Sequence, residues 1–557
     1  MRLAPVPALA GTRPYAVPRA GAPIDLSLDG NEGPAPDPTL LDVLRDPELL
    51  RCYPDQGPLE RALAARVGVA PERLLVTAGG DDTLDRVCRA MLGPGDEILV
   101  HAPGFEMLRR YARVAGGVPV EIPWPDGPFP VDAALAAVTP RTRILVVTSP
   151  NNPTGGVAAA ADLGRLAEAL PEVLLLVDLA YVEFADEDLT AAALALPNAV
   201  VVRSLSKAWG LAGLRVGYAL GHPEVIGWLR AAGAPYAVSA PALAIAQAAL
   251  EVGPPAGYIA RVRAERGALA EQLAALGAAP VPSQGNFVFA EVPDPLWLRD
   301  AMAGLGIGVR AFPGKPGLER AVRVSCPGDP AAFDRLTHAL GAALAPEAVL
   351  FDMDGVLADV RGSYRAAIRE TAAAFGVTVT DADIQAVKAL GDANNDWVVT
   401  RRLLAAAGVD APLAQVTEVF EDLYQTRLYK AETLLVDRAW LEALGARLPL
   451  GVVTGRPRRD AVRFLDDMGI TEAFSALVCM EDAPLKPDPA PVRLALETLG
   501  VQRAWLLGDT PDDVRAARAA GVVPLGVCPP GEDNAASLIA AGAARAIPNA
   551  RLLEELL

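Results

Sequence analysis

A chain of 557 residues is too long for one hydrophobic core, because domains typically hold about 100–200 residues. At least two folding units are therefore expected. A content of 52% hydrophobic and 21% charged residues is typical of globular proteins. The net charge of -18 and the pI near 4.8 argue against a nucleic-acid partner, because binding to phosphate backbones requires clustered Lys and Arg.

Cysteine usage and hydropathy exclude further classes of protein. The five cysteines are scattered and odd in number and the three histidines lie far apart, so neither a disulfide framework nor a Cys/His zinc site is expected. No apolar run approaches the roughly 20 residues of a membrane span. Two prolines interrupt "MRLAPVPALA", where a signal peptide needs a continuous apolar stretch. We therefore expect a cytoplasmic protein without a membrane partner.

The first part of the chain alternates apolar segments with Ala/Leu/Arg stretches of helical period. The alternation predicts an α/β fold with a doubly wound parallel sheet, whose strands fall within 73–79, 96–103, 143–150, 173–180 and 199–206. After further strands in 285–292 and 320–327, one more helical stretch leads into "EAVLFDMDG", where the alternation of strands and helices begins again. We place the domain boundary at about residue 345, which gives domains 1–345 and 346–557.

The second domain contains a helical insertion. Strand-plus-loop segments are predicted at 448–456 and 503–513, whereas about 361–435 is almost wholly helical in pattern and is expected to cover a site as a cap. Within it, 391–399 either lines a substrate pocket or forms a helix cap with a buried Trp397.

Lys207 is the first candidate for chemistry. It lies just after an apolar strand, in "SLSKAWGLAGLRVGY". A lysine in that setting can lose its charge by desolvation and form a Schiff base with an aldehyde cofactor. Taken alone, Lys207 is equally consistent with an ordinary surface lysine.

Other segments supply what such a cofactor needs. Asn152 could donate to a ring oxygen, Asp178 could pair with a protonated pyridine nitrogen, Tyr181 lies three residues further on, and Phe105 could stack on the ring. Backbone amides in "TAGGDD", at a predicted helix start, form a phosphate cradle to which three side chains could add: Ser204, Ser206 and Arg215. Singly these residues are ordinary core, turn or capping residues, and the ordered set is what indicates a site.

Together these segments resemble the fold-type I pyridoxal phosphate aminotransferases, most closely the histidinol-phosphate aminotransferases, over roughly residues 10–345. The resemblance implies a large and a small domain, a Schiff base on Lys207, and cofactor contacts from Gly80, Asp81, Phe105, Asn152, Asp178, Tyr181, Ser204, Ser206 and Arg215. It further implies that Arg310 and Arg323 bind the substrate anion. Tyr53 would reach the cofactor of the neighbouring subunit in a homodimer. Leu179 and Asp82 stand where the family usually has Glu, which bears on the substrate more than on the chemistry.

A second candidate site begins at "LFDMDGVLAD". Asp352 and Asp354 follow a predicted strand, so that one carboxylate can attack a phosphoryl group while the other handles protons. A carboxylate that approaches a phosphate meets like-charge repulsion, and the groups that could offset it follow later in the chain, at Thr454, Lys486, Asp509 and Asp513. A solvated turn is the alternative interpretation of the first pair alone.

The order and spacing of these residues resemble the phosphatase branch of the haloacid dehalogenase superfamily, over about 347–557. The resemblance implies a Rossmann-like domain with a helical cap, a phosphorylated Asp352, and Asp354 as the acid and base. Thr454 and Lys486 would hold the phosphate. Mg2+ would be bound by Asp352, the carbonyl of Asp354 and Asp509, with support from Asp513.

The two resemblances correspond to consecutive steps of histidine synthesis. A histidinol-phosphate aminotransferase makes the ester that a histidinol-phosphatase hydrolyses, so the chain is predicted to be bifunctional, with an amino donor, a 2-oxo acid and a phosphate ester as small-molecule substrates. One alternative keeps both chemistries but assigns them to other amino or phosphorylated compounds of secondary metabolism. Another makes the C-terminal domain a non-catalytic binding module.

Overall fold

The computed structural model describes residues 5–10, 12, 14–389 and 395–557. Contacts divide the chain into two compact units. The first contains residues up to Pro18, Leu28–Pro293 and Arg310–Phe333, and the second contains Arg19–Ser27, Asp294–Val309 and Asp334–Leu557. The second unit thus combines the predicted domain 346–557 with segments that precede it in the chain.

The first unit is built around a seven-stranded sheet. In spatial order the strands are Leu74–Thr77, Gly217–Gly221, Ala199–Ser204, Leu174–Asp178, Thr142–Thr148, Glu97–Ala102 and Val118–Pro123. Only Gly217–Gly221 runs antiparallel to its neighbours. All five predicted strands are present, and their continuous apolar runs are explained by burial of both sheet faces.

Alternate residues of each strand belong to two cores, one on each side of this sheet. In Thr142–Thr148, Leu145 and Val147 pack on one side, whereas Ile144 and Val146 pack on the other. The helices of this unit are Glu48–Arg51, Gly57–Val67, Gly79–Met91, Glu106–Val114, Val131–Ala136, Ala160–Ala169, Thr190–Leu194, Pro223–Ala232, Ala240–Val252 and Ala256–Ala275. A smaller antiparallel sheet contains, in spatial order, the strands Arg310–Ala311, Ala321–Ser325, Phe287–Glu291 and Ala279–Val281.

The second unit contains a six-stranded parallel sheet, ordered Ala476–Val478, Leu450–Val453, Ala348–Phe351, Ala504–Gly508, Val523–Val527 and Arg545–Ile547. The helices Arg438–Gly445, Arg458–Asp467, Ala490–Leu499, Pro511–Ala519 and Ala535–Ala541 connect and follow its strands. This arrangement confirms the predicted Rossmann-like fold. Two short paired strands, Ala358–Asp359 and Thr433–Leu434, flank four helices that we call the cap: Tyr364–Ala374, Asp381–Ala389, Asp396–Ala406 and Leu413–Thr426.

Segments from before residue 346 pack into the core of the second unit. The helix Pro295–Gly304 places Trp297 against Trp505, with ring centroids 4.6 Å apart. Their indole N–H groups donate to the carbonyls of Ala343 and Ala342, near the end of the helix Pro330–Leu344. The strands Leu26–Ser27 and Ile307–Gly308 also pair within this unit. Among the described helices, none combines the length and the apolar character that crossing a membrane requires.

Candidate active sites

The carboxyl ends of the parallel strands in the first unit open into a cavity of about 630 Å3. Asp178 and Ser204 are the last residues of their strands, and Asn152 lies just beyond the end of another. The cavity brings together all but one of the residues predicted for this site, namely Gly80, Asp81, Phe105, Asn152, Asp178, Tyr181, Ser204, Ser206, Lys207, Arg215, Arg310 and Arg323.

Lys207 reaches into this cavity from the segment after its strand. Its Nζ donates to the carbonyl of Gly30 at 3.1 Å and lies 5.5 Å from the centroid of the Tyr181 ring. The Tyr181 hydroxyl in turn accepts a hydrogen bond from Asn31 Nδ2 at 3.1 Å, and Asn31 Oδ1 accepts one from Ser325. Asn31 therefore orients a predicted site residue; it lies in "LDGNEGP" (28–34), a segment that is part of the resemblance but for which no residue role was predicted.

Asp178 is a buried carboxylate with few neighbouring groups that stabilise its negative charge. Burial raises its pKa to about 6; the N–H of Ala180 and the charge of Lys207 act against this rise, and the charge of Asp81 adds to it. A buried anion with one backbone donor is stabilised by a cationic partner. A protonated ring nitrogen would be such a partner, so this residue fits pyridoxal phosphate.

The first turn of the helix Gly79–Met91 forms an anion cradle. Arg215 pairs with Asp81 at 3.0 Å, and its Nη1 lies 3.5 Å from Ser206 Oγ. Gly79 has a φ of +80°, a backbone conformation that favours glycine, and a Cβ at this position would lie 2.7 Å from Arg215 Nη2. Exposed helix amides, two hydroxyls and an arginine fit a phosphate group.

Asp82 does not contribute to that cradle. Its carboxylate accepts from the N–H of Ala78 and pairs with Arg86 at 2.8 Å, which leaves it a structural partner of its own helix. The departure from the family pattern at this position therefore lies beside the site rather than in it.

Two buried arginines face each other across a strand pair. Arg310 and Arg323 are opposite one another in antiparallel strands. Arg323 donates to Asn152 Oδ1 and to the carbonyl of Asp29, both at 2.6 Å, and burial, together with the charge of Arg310, lowers its pKa. Arg310 Nη1 and Arg323 Nε are buried without a hydrogen-bond partner in the part of the chain that the structure describes. Like charges directly opposite each other are destabilising, so the pair is suited to an anion between them.

Tyr53 is the exception among the predicted residues. It is 82% exposed, does not line the cavity, and stacks on Tyr236 with ring centroids 4.7 Å apart. Its role toward a neighbouring subunit therefore stays a prediction.

The second site lies at the carboxyl ends of the six-stranded sheet. Lys486 Nζ donates to Asp352 Oδ1 at 2.6 Å and to the carbonyl of Val453 at 2.9 Å, and it forms a closer ion pair with Asp513. Burial alone would lower the pKa of Lys486, but the two carboxylates raise it. Asp513 also accepts from the N–H and the hydroxyl of Thr510, at 3.0 and 2.6 Å. Lys486 thus joins Asp352 and Asp513 in one buried, ion-paired set.

Three carboxylates cluster beside that lysine. Ligand oxygens of Asp352, Asp509 and Asp513 all lie within 4.8 Å of one another. Burial raises the pKa of Asp352 to about 7, with Lys486 acting against the rise, and burial and the two neighbouring carboxylates raise that of Asp509. Lys486 pairs with Asp352 and Asp513, and the charge of Lys388 acts on Asp509 without reversing the rise of its pKa. A hard divalent cation with oxygen ligands would offset the negative charge that remains, so these residues fit Mg2+.

The cavity above these groups is small, about 40 Å3. Asp352, Asp354 and Asp509 line it, whereas Thr454 is buried beside it and accepts from the N–H of Arg456 at 3.1 Å. Cap residues complete the wall: Tyr364, Lys388, Asn395, Asp396 and Trp397. Of the stretch 391–399, residues 391–394 lie outside the described residues, and 395–397 line the cavity. Lys388 pairs with Asp396 at 3.0 Å.

Arg456 also lines this cavity, and the sequence offered only weak grounds to single it out, since arginine carries nearly all the positive charge of the chain. Its Nε donates to Asp354 Oδ1 at 2.6 Å. The proposed acid and base thus has a cationic partner 102 residues away along the chain.

Comparisons with known proteins match the two parts of the chain to two families. Residues 44–340 match the family model of class I and II aminotransferases, and residues 346–521 match that of haloacid dehalogenase-like hydrolases. A histidinol-phosphate aminotransferase of Paracoccus denitrificans is 35% identical over 342 residues, which cover 59% of this chain and 92% of that protein. An aromatic amino acid aminotransferase of Mycobacterium bovis is 39% identical over 298 residues, which cover 51% and 83%.

A solved structure supports the same relationship. The crystal structure of histidinol-phosphate aminotransferase from Sinorhizobium meliloti, in complex with pyridoxal-5'-phosphate, superposes with a TM-score of 0.55 at 27% identity. The superposition covers 61% of this chain and 97% of that one. The chain therefore belongs to the class I and II aminotransferases through its first part and continues into a haloacid dehalogenase-like hydrolase domain, so that two enzyme families are fused in one polypeptide.

Proposed function

We propose that this protein is a bifunctional enzyme that makes L-histidinol phosphate by pyridoxal phosphate-dependent transamination and then hydrolyses that ester with Mg2+. The observation that carries the proposal is the opposed pair Arg310 and Arg323, a place for a substrate anion, in the same chain as a phosphatase-like cluster around Asp352. The aminotransferase relative from Paracoccus denitrificans supports the choice of substrate.

In the first site the cofactor, when bound, supplies an aldehyde and an electron-withdrawing ring. Asp178 would keep a proton on the ring nitrogen, and Lys207 would take and return a proton at the substrate carbon that carries the amino group. The remaining residues would orient the cofactor through its phosphate, ring oxygen and ring face: Gly80, Asp81, Ser204, Ser206, Arg215, Asn152, Tyr181 and Phe105. Arg310 and Arg323 would bind the substrate's phosphate or carboxylate.

In the second site a carboxylate oxygen of Asp352 would attack phosphorus while the bond from phosphorus to the alcohol oxygen breaks. The alcohol oxygen keeps the electron pair of that bond and takes a proton from Asp354. Water then gives a proton to Asp354 and attacks phosphorus, which releases inorganic phosphate and restores Asp352. Thr454 and Lys486 would hold the phosphoryl oxygens. Asp352, the carbonyl of Asp354 and Asp509 would hold Mg2+, with support from Asp513, and the ion would supply positive charge that offsets the charge of the phosphoryl oxygens.

We further propose a cytoplasmic homodimer. Tyr53 and Tyr236 stack on each other and are 82% and 57% exposed, and exposed aromatic side chains that contact one another are typical of contacts between subunits. Such a contact would allow Tyr53 to reach the cofactor of the second subunit.

One alternative has specific support. The aromatic amino acid aminotransferase of Mycobacterium bovis is as similar in identity as the histidinol-phosphate relatives, which favours transamination of another amino compound as the second candidate. A non-catalytic C-terminal module is disfavoured, because Asp352, Lys486 and Asp513 form a connected buried set.

The decisive experiment is an assay of the purified protein with histidinol phosphate and 2-oxoglutarate, in which glutamate formation and phosphate release are measured separately. Formation of both products supports the bifunctional proposal. Transamination combined with hydrolysis of other esters only would favour the alternative substrates, and hydrolysis of no ester at all would favour the binding module.

A further inference from the structure

Arg456 is a fully buried arginine at the second site. It follows the strand Leu450–Val453, and its side chain is 1% exposed. The rings of Tyr364 and Phe464 face its guanidinium group, with centroids at 4.7 and 5.2 Å. Burying a guanidinium is costly unless its N–H groups find partners, so the partners indicate its purpose.

Two carboxylates neutralise the buried charge of Arg456. Nε donates to Asp354 Oδ1 at 2.6 Å, and Nη1 donates to Glu432 Oε2 at 3.0 Å. Nη2 is buried and has no hydrogen-bond partner among the described residues. The guanidinium is therefore fixed on two of its three nitrogens, directly beside the cavity that Asp352 and Asp354 line.

Glu432 is itself held on the opposite side. Its Oε1 accepts from the hydroxyl of Tyr424, a residue of the cap helix Leu413–Thr426, at 2.9 Å. Glu432 directly precedes the short strand Thr433–Leu434, which pairs with Ala358–Asp359. The chain of contacts thus runs from the cap, through Glu432 and Arg456, to Asp354.

We propose that Arg456 is a positioning residue for Asp354. Because Arg456 occupies Oδ1, the second carboxylate oxygen, Oδ2, is directed toward the alcohol oxygen of the phosphate ester, and Glu432 keeps Arg456 in place. When the bond from phosphorus to that oxygen breaks, the oxygen keeps the electron pair and takes the proton from Asp354, while Asp352 bonds to phosphorus. Arg456 keeps its own protons throughout. The inference rests on the proposed phosphatase activity.

The choice of leaving group separates this role from a purely structural one. An alkyl alcohol must be protonated as it leaves, whereas 4-nitrophenolate departs as a stable anion. In Arg456→Met, first-turnover release of histidinol from histidinol phosphate should fall roughly 100-fold, a typical general-acid contribution. First-turnover release of 4-nitrophenolate from 4-nitrophenyl phosphate should fall by less than about tenfold, because that step needs no acid.

Two gentler variants keep the test valid if Arg456→Met does not fold. Arg456→Lys keeps a cation and should restore part of the lost alkyl-ester rate. Glu432→Gln, which removes a charge and one of the two acceptor oxygens but keeps the shape of the side chain, should show a smaller loss of the same selectivity. Arg545→Met is the matched control, because Arg545 is a paired arginine of the same unit that bonds Asp300 at 3.0 Å and does not line the cavity. It should leave both rates unchanged.

The outcomes distinguish the inference from the function on which it rests. Equal losses on both esters, or no loss on either, in the folded variants overturn the positioning role alone. A wild type that hydrolyses 4-nitrophenyl phosphate but not histidinol phosphate overturns the substrate assignment, and the same comparison is then made with a simple alkyl phosphate. A wild type that hydrolyses no ester overturns the phosphatase proposal and the inference with it.

Discussion

The two candidate sites differ in size and in the arrangement of the charged groups that line them. The first is a cavity of about 630 Å3 in which both signs of charge are present, with Lys207, Arg215, Arg310 and Arg323 among the cations and Asp81 and Asp178 among the carboxylates. The second is about 40 Å3 and is lined by more carboxylates, among them Asp352, Asp354 and Asp509, than cations, which are Lys388 and Arg456. A large cavity with several cationic groups suits an anionic cofactor together with an anionic substrate, whereas a small cavity with clustered carboxylates suits a metal ion and a single phosphoryl group. Under the proposed function, one phosphate ester would be bound as an anion in the first site and hydrolysed in the second.

The largest expected effect on the difference between the two sites is at Asp352, the proposed nucleophile of the second site. Asp352→Asn removes the attacking carboxylate and one metal ligand, so phosphate release should fall by roughly three orders of magnitude or more, as in other enzymes that lose a covalent nucleophile. Transamination should be unchanged, because the first site lies in a separate compact unit. Asp300→Asn, a matched change outside the cavity, should keep both activities. Parallel loss of both activities in Asp352→Asn would contradict separate sites.

The converse change is Lys207→Ala. It should abolish transamination and the visible absorption band of the bound cofactor, since Lys207 lies beside the Tyr181 ring, whereas Lys315, which also lines the cavity, pairs with Glu106. Mg2+-dependent phosphate release should remain. Lys430→Ala, at an exposed lysine, serves as the control. An unchanged absorption band in Lys207→Ala would remove this lysine from the site.

A smaller effect is expected at the paired arginines. Arg310→Ala or Arg323→Ala removes a charge-assisted contact to the substrate anion, so the aminotransferase KM should rise about 10–150-fold, which corresponds to 1.5–3 kcal/mol. Arg310→Ala is the cleaner variant, because Arg323 also holds Asn152. Steady-state kinetics with Arg165→Ala, at an exposed ion pair, provides the baseline. An unaltered KM would mean that the two arginines stabilise the fold and do not bind the substrate anion.

The smallest effect concerns the stability of the cofactor-free protein. Burial raises the pKa of Asp178 from 3.8 to about 6, so the native state binds this proton more tightly than the unfolded state does. The ionised form of Asp178 therefore destabilises the native state. This destabilisation is complete above pH 6 and is lost as the pH falls toward 4. Asp178→Asn should therefore raise the free energy of unfolding by about 1–3 kcal/mol near pH 7.5, and by less at pH 5.

Urea unfolding of wild type and variant at the two pH values checks this prediction. Asp132→Asn, at a carboxylate whose side chain is 88% exposed, should show no such pH dependence. A gain in stability for Asp178→Asn that is equal at both pH values would mean that shape, and not charge, is responsible.

Several features could be predicted from the sequence because they depend on local order. Continuous apolar runs marked the parallel strands, and Asp178, Ser204, Asp352 and Asp509 were recognised because each stands at or just after the end of such a run. Since the carboxyl ends of neighbouring parallel strands meet at one edge of a sheet, their order along the chain was enough to expect two clusters of side chains.

Other features depend on contacts between distant segments, which local patterns do not encode. Residues 294–309 look like part of the first domain in the sequence, yet Trp297 packs on Trp505 within the second unit. A tryptophan in the sequence predicts a large apolar side chain with one N–H donor. The residue against which it packs depends on which two surfaces come together and exclude water when the chain folds.

By itself the sequence determined the two fold classes, the families and the kinds of chemical group available, because strand periodicity and motif order are properties of the chain alone. The tertiary structure alone decided which buried charges face each other. Arg310 opposite Arg323, Asn31 on Tyr181, and Arg456 between Asp354 and Glu432 join residues that are distant in the chain. Such pairings follow from the need of each buried charge or polar group for a nearby partner, and only the packed fold determines which partner is near.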